Sequence, residues 1–518
     1  MGSSTETATE PLPRIKATAT TRQIRGSSLL LAGRLLSKGV NFGVQVMIVR
    51  YLSVTDYGAF ALALSFVSLS QSIATFGLDR AITRFVPIYQ EKKEYAKLFG
   101  TIIMVFSTIL SLGLAIALLF YGFQHLVTQS LLDGDQQART LLLLLIFLAP
   151  VQAIDDLLIG MFAVFASPRA IFFRKNVLAP GLRLTVVLLL IVFQYNVLFL
   201  AGGYLASGVI GVAIYVVMLF RLLRSEGLLS HFDRSAIQLP WREVFAFTIP
   251  LLSSDLVYVI MNQVDAILLA RFQGTADVAA FRAVQPVALM NQLIMASFAT
   301  LFTPLAARMF ARNDRQGIND LYWQTAIWIA IFTFPIFVLT FSVAQPLTVL
   351  LFGTRYQESG IILMLLSCGY YFNAALGFNG LTLKVYGKLR YIVSLNVAAA
   401  VANLVLNLIL IPRYGAFGAA IGTGATLIIH NILKQTGLRL GTGISLFDRR
   451  YFRVYITISL SALGLLLIQA VTSAPVYVSI ALAGLASFLV IRLNRRLLNV
   501  EETFPELLRL PLMRRLLG

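Results

Sequence analysis

This sequence is short of nearly everything on which soluble catalysis is built. It has one cysteine, Cys368, which excludes disulfides and thiolate metal sites. Its three histidines, His125, His231 and His430, lie far apart and show no ligand spacing. No Walker A loop is present, which argues against ATP hydrolysis. Charged residues are only 13% of the chain, and just 23 acidic residues face 42 basic ones. What remains is apolar. Hydrophobic residues make up 58% of 518 positions and mean hydropathy is +0.81, which specifies an all-α polytopic membrane protein and excludes a soluble core.

Apolar runs of about twenty residues are long enough to cross a bilayer. They predict about fourteen transmembrane helices, starting near 28, 58, 98, 140, 171, 198, 243, 278, 321, 360, 390, 415, 451 and 475. Alternate connections differ sharply in Lys and Arg. One set carries Lys92, Lys93 and Lys97, then Arg221, Arg224 and Arg234, then Arg308, Arg312 and Arg315, then Lys384 and Lys388; the other has little beyond Arg50, Arg139, Arg271, Arg355 and Arg413. The positive-inside rule then places both termini in the cytoplasm of a multi-pass protein of the cell (inner or plasma) membrane. That bias also absorbs most of the +19 net charge, so no nucleic-acid partner is expected. The polar first 27 residues lack an apolar h-region, and the first helix is expected to direct insertion itself.

The chain repeats internally. Arg50-Tyr51, Asp56 and Ala59-Phe60 recur at an offset of 221 as Arg271-Phe272, Asp277 and Ala280-Phe281, and the same offset pairs Asn41 with Asn262. At an offset of 220, Asn176-Val177 matches Asn396-Val397, Gly160 matches Gly380 and Gly202 matches Gly422. The expected organisation is therefore two pseudo-symmetric six-helix lobes plus two C-terminal helices. A basic tail (1–27) leads to the N-lobe (28–223); an inter-lobe loop (224–242), the C-lobe (243–440), helices 13 and 14 (441–493) and a basic tail (494–518) follow. Six spans return the chain to its starting side, so the copies are parallel and the interface between them is the natural substrate path of an alternating-access carrier.

Polar residues fall in stripes on these spans. The first span places Arg34, Lys38, Asn41 and Gln45 on one helical face; its repeat mate places Asp255, Tyr258, Asn262 and Asp265 on another. A charge near mid-membrane costs at least ~2.5–3.5 kcal/mol, so such residues face a cavity and mark function. The offset sets Arg34 against Asp255, a basic wall against an acidic one. Arg80, Arg183 and Arg282 join Arg34 and Lys38 as candidate cargo ligands with Asn41, Gln45 and Asn262, while Asp255, Asp265, Asp155 and Asp156 are candidates for coupling or gating. Arg80, Arg84 and Arg174 also fit a simpler role as anchors snorkelling to the surface, and single Ser and Asn residues fit interhelical hydrogen bonding. Asp155 and Asp156 diverge by about 100° on a helix, so they form no metal pair, and no cofactor is expected. A basic cavity suits a phosphate or carboxylate; the embedded carboxylates suit H+ or Na+ coupling.

Several segments resemble a known family. The basic residues of the first span, the Arg50-Tyr51-Leu52 to Asp56-Tyr57-Gly58 turn, and the Gly77-Leu78-Asp79-Arg80 to Arg84-Phe85-Val86-Pro87 exit are similar to the start of the oligosaccharide flippases, in the polysaccharide-transport branch of the multidrug/oligosaccharidyl-lipid/polysaccharide exporter superfamily. The 160–169 turn and its 380–390 mate resemble that family's cytoplasmic turns. The resemblance implies a flippase, not an enzyme, that carries a polyprenyl-(di)phosphate-linked oligosaccharide to the outer leaflet for surface polysaccharide assembly. Its partners would be that cargo, membrane lipids and polysaccharide assembly proteins. In the related lipid II flippases, Arg34, Lys38, Arg80 and Arg282 would fall on basic cargo-handling positions. The alternatives are an ion-coupled multidrug or small-solute exporter of the same fold and, further off, a membrane glycosyltransferase or ligase. Drug exporters carry a carboxylate in the first span where this chain has Arg34 and Lys38, which argues against cationic cargo.

Overall fold

The computed structural model describes residues 33, 36–132, 134–165 and 168–498, with the side chains of 168–169, 250–256, 258 and 300–301 outside the description. Arg34 and the side chain of Asp255 therefore lie outside the described residues, as does their expected pairing. Among the described residues all regular structure is helical. The first half comprises α1 (36–51), α2 (Val54–Thr75), α3 (Leu78–Glu91), α4 (Tyr95–Gly122), α5 (Gln124–Leu131), α6 (Gln136–Leu145), α7 (Leu148–Val164), α8 (Ala170–Val192) and α9 (Val197–Ser225). The second comprises α10 (Trp241–Gln273), α11 (Thr275–Leu289), α12 (Leu293–Ala311), α13 (Arg315–Phe341), α14 (Ala344–Phe352), α15 (Ser359–Ala375), α16 (Asn379–Val385) and α17 (Leu389–Thr442), followed by α18 (Phe452–Thr472) and α19 (Val476–Leu498).

Among the described residues, 11 helices are long and apolar enough to cross a membrane. That is fewer than the fourteen expected; α1 is described only in part, α10 is not among the eleven, and α17 is counted once. At 54 residues α17 would be about 80 Å long if straight, against a hydrocarbon core of about 30 Å. It is broken at Gly415, whose φ of 54° and ψ of −136° leave the helical region.

The breaks have local causes. The α2–α3 bend passes through Phe76 and Gly77, both left-handed. Pro150 has no N–H to offer the Ile146 carbonyl, and the helix steps there from α6 to α7. Residues 173–178 within α8 form a π-helical turn. Left-handed residues also recur at the repeat offsets: Lys93 (φ 58°) with Asn313 (φ 56°) at 220, and Gln194 (φ 54°) with Gly415 (φ 54°) at 221. Residues 124–139, ahead of the span predicted to start near 140, are mostly helical, forming α5 and the start of α6. The short helix α14 stands in the same place in the second half.

Packing differs between the two ends of the bundle. At the end carrying the α1–α2 turn, hereafter the far end, one apolar cluster runs through both halves, from Val44, Ile48, Phe60 and Leu145 to Leu269, Phe281, Phe352 and Ala419. At the basic end the halves have separate clusters, one around Leu78, Ile82, Leu157 and Phe162, the other around Phe302, Tyr322, Trp323 and Phe378. The first of these reaches the second half through the opening turns of α10, at Val244, Phe245 and Phe247. Because burial of apolar area drives association, the two halves are joined by a common core at the far end, whereas at the basic end each is built mainly around its own cluster.

Candidate functional site

The seal at the far end is capped by two arginines. Arg50, closing α1, donates from Nε to the Leu351 carbonyl at 2.7 Å and from its second amino group to the Leu350 carbonyl. Arg355 donates back to the carbonyls of Val49, at 2.7 Å, and of Arg50. Beside them Gly58 lies so close to the Thr275 carbonyl that a Cβ would collide with it, and the Thr275 hydroxyl meets Asp135 at 3.3 Å. Neither sequence spacing nor charge pointed to Arg355 as a partner of α1.

Below the seal sits Arg282 of α11. Its guanidinium donates to Gln285 at 2.7 Å, Gln263 at 2.6 Å, the Asn262 carbonyl at 3.1 Å and, across the junction of the halves, the Ser65 hydroxyl at 2.9 Å. Its Nε is buried without a partner among the described residues. Nearby, Gln45 donates to the Tyr57 hydroxyl at 2.5 Å. Towards the basic end α1 opens out: Lys38 and Gly39 are exposed, and a Cβ on Gly39 or Gly43 would meet nothing within 4 Å among the described residues. Arg80 is exposed at the start of α3. The structure thus brings Gln45, Asn262 and Arg282 near the junction, and leaves Lys38 and Asn41 along the open stretch of α1.

Asp265 does not face that opening. It is fully buried within the second half, where it accepts from Asn407 at 2.5 Å and from Thr423 at 3.0 Å, and Asn407 also donates to Asn403 at 3.2 Å. The Asn407 carbonyl oxygen is buried without a partner among the described residues. This cluster adjoins a polar cavity of about 300 Å³ lined by Asn262, Asn396, Asn403, Thr423, His430 and Lys434, in which His430 Nε2 lies 3.1 Å from Asn396.

The first half holds a counterpart. A cavity of about 50 Å³ is lined by Gln152, Asp155, Arg174, Arg183 and Tyr204. At the repeat offsets Gln152 corresponds to Asn373, Asn176 to Asn396 and Arg183 to Asn403, residues that line the larger cavity. Arg174 is no snorkelling anchor. Its side chain is 5% exposed and ion-paired from Nε to Asp155 at 2.9 Å, in space that Gly211 leaves free. Asp156 points elsewhere and accepts from Gln71 at 2.7 Å. The guanidinium of Arg183 lies 5.6 Å from the Tyr204 ring centre. Asp155 and Asp156 therefore serve two separate networks, as their 100° divergence requires.

A model of the polysaccharide biosynthesis protein family matches residues 24–310, more than half of the chain. The chain belongs to that family. A MatE family model also matches residues 250–409 of this family member. An uncharacterized membrane protein of Methanocaldococcus jannaschii is 24% identical over 78% of the chain and 81% of its own length. The succinoglycan biosynthesis transport protein ExoT of Rhizobium meliloti is 23% identical over 68% and 67%. Among solved structures, lipid II flippase MurJ in an inward closed conformation superposes with a TM-score of 0.71, at 17% identity, over 90% of this chain and 99% of that one. The chain shares the fold of that flippase.

Proposed function

We propose that this protein is a flippase that moves a polyprenyl-(di)phosphate-linked oligosaccharide from the cytoplasmic to the outer leaflet. The observation that carries the reading is the asymmetry of the bundle: the halves share one core at the far end and separate at the basic end, where exposed Lys38 lines the opening of α1. The cargo class also draws on the family and on the transport protein ExoT. In this proposal fourteen crossings form two six-helix lobes with both termini cytoplasmic, and the structure is closed outside. Arg34, Lys38, Arg80 and Arg282 attract the phosphates, and Asn41, Gln45 and Asn262 contact the sugars. The lipid tail stays in the bilayer. Such a protein is a carrier and not a catalyst. The Asp265 cluster, with an unpartnered Asn407 oxygen beside a carboxylate, fits H+ or Na+ as a coupling ion. Asp255 gates the basic wall when cargo is absent. The partners are the lipid-linked glycan, membrane lipids and polysaccharide assembly proteins.

The test is flipping of a fluorescent polyprenyl-diphosphate oligosaccharide in proteoliposomes, read by access of a membrane-impermeant reagent. Arg34→Glu with Lys38→Glu is expected to slow flipping at least tenfold in a protein that still purifies as a folded species. Unchanged flipping would remove the basic wall from the mechanism. The MatE match favours a second reading, export of a small solute; transport of an organic cation that survives Arg34→Glu with Lys38→Glu would favour it.

A further inference from the structure

The basic end of the second half contains a cavity that shares no lining residue with the two cavities described above. It measures about 280 Å³ and lies between the end of α12, the start of α13, the turn after α16 and the end of α17. Its polar lining is made by Arg315, Asn313, Tyr386 and the 441–443 turn, and no carboxylate among the described residues lines it. The nearest acid along the chain, Asp314, is turned onto the Gly317 N–H at 2.8 Å as the cap of α13. The Tyr386 hydroxyl is buried and has no hydrogen-bond partner among the described residues, so a donor is left unspent at a cationic site. Gly441 matters here. The stem of Lys388 passes 3.5 Å from where its Cβ would stand, which brings a second cation beside the turn. Gly443 closes α17 in the left-handed conformation at φ 79°, its N–H bonded to the Arg439 carbonyl at 3.0 Å.

We infer that this cavity binds the phosphate headgroup of an anionic membrane phospholipid. The chemistry is that of a phosphate monoanion: Arg supplies a fork of donors, Lys388 a point charge, and the Tyr386 hydroxyl a further donor. The source is a lipid and not free phosphate, because the rim is apolar and faces outward. Leu440 is 82% exposed and Phe310 is 43% exposed, and both line the cavity. A polar floor with an apolar lip matches the division between headgroup and acyl chain, and clusters of Lys and Arg at the basic end of spans attract anionic lipids. A lipid there would tie together four elements of the second half.

The experiment is native mass spectrometry of the purified full-length protein, titrated with phosphatidylglycerol and, separately, with phosphatidylcholine. One phosphatidylglycerol is expected to bind at least tenfold more tightly than phosphatidylcholine. Arg315→Gln should abolish that preference, and Tyr386→Phe, which removes a single oxygen and leaves the packing intact, should weaken it about threefold. Arg315→Lys should restore part of it. Arg224→Gln, at an exposed basic position of the first half, should leave it unchanged. Three results would each overturn the proposal: no change in Arg315→Gln and Tyr386→Phe, an equal loss in Arg224→Gln, which marks diffuse surface attraction, or displacement of the lipid by millimolar inorganic phosphate, which marks a soluble ligand.

Discussion

The far-end seal makes a quantitative prediction about conformational equilibrium. Arg50 and Arg355 donate four hydrogen bonds between the halves, all to main-chain carbonyls and all dependent on closure. Hydrogen bonds to charged groups contribute about 1.5–3 kcal/mol each when water is excluded. Both side chains are exposed, so water and salt compete, and about 1 kcal/mol per arginine is the appropriate scale. Since 1.4 kcal/mol is tenfold in an equilibrium constant, Arg50→Ala or Arg355→Ala should each raise the ratio of open to closed far end about fivefold, and the double variant up to about thirtyfold. Spin labels at Thr55 and Thr354, exposed positions on opposite sides of the seal, read that ratio by double electron–electron resonance after Cys368→Ala. The double variant should gain a long-distance population that the parent shows only weakly. An unchanged distance distribution in a folded double variant would refute the reasoning, because it would mean that the shared apolar core alone sets closure.

Other expectations follow from the same geometry. Gly58→Ala should also open the far end, since its methyl collides with the backbone oxygen of Thr275 and not with a side chain that can move; the same distance measurement checks it. Gly211→Val should displace Arg174, whose amino group stands 2.6 Å from a Cβ at 211, and lower stability by about 1–3 kcal/mol through overpacking in a denaturant titration. Asp448 accepts from the Arg450 side chain at 2.6 and 2.9 Å, and that bonding holds its carboxyl below the usual carboxylate range. A lowered folded pKa gives stability that is present above the ordinary value near ~3.9 and lost as pH falls through the lowered one. The difference in thermal midpoint between the parent and Asp448→Asn should therefore hold from pH 8 to about pH 5 and close below about pH 4; a gap persisting far below pH 4 would contradict it.

Which elements were legible in the sequence follows from what a helix reveals about itself. Span positions could be read because a bilayer demands about twenty apolar residues whatever the neighbours are. The break near Pro150 has an equally local cause, the missing N–H. Partners were not legible. Asp265 shares a helical face with Asn262, yet it is buried against Asn407 and Thr423 of its own half, while the Asn262 carbonyl accepts from Arg282. Arg174, near a predicted helix end, suited an anchor until the π-helical turn and Gly211 let its guanidinium turn inward to Asp155.

The sequence by itself determined an all-helical membrane protein, the strong bias of charge to one end and the repeated offsets at which left-handed residues later recur. These are properties of single segments, fixed by hydropathy and by backbone sterics. Only the tertiary structure decided that Arg282 reaches Ser65, that Arg50 and Arg355 bond to the main chain across the seal, and that the large core common to the two halves lies at the far end. The reason is geometric. Periodicity states which face of a helix is polar, but the crossing and rotation of each helix against its neighbours determine what that face meets.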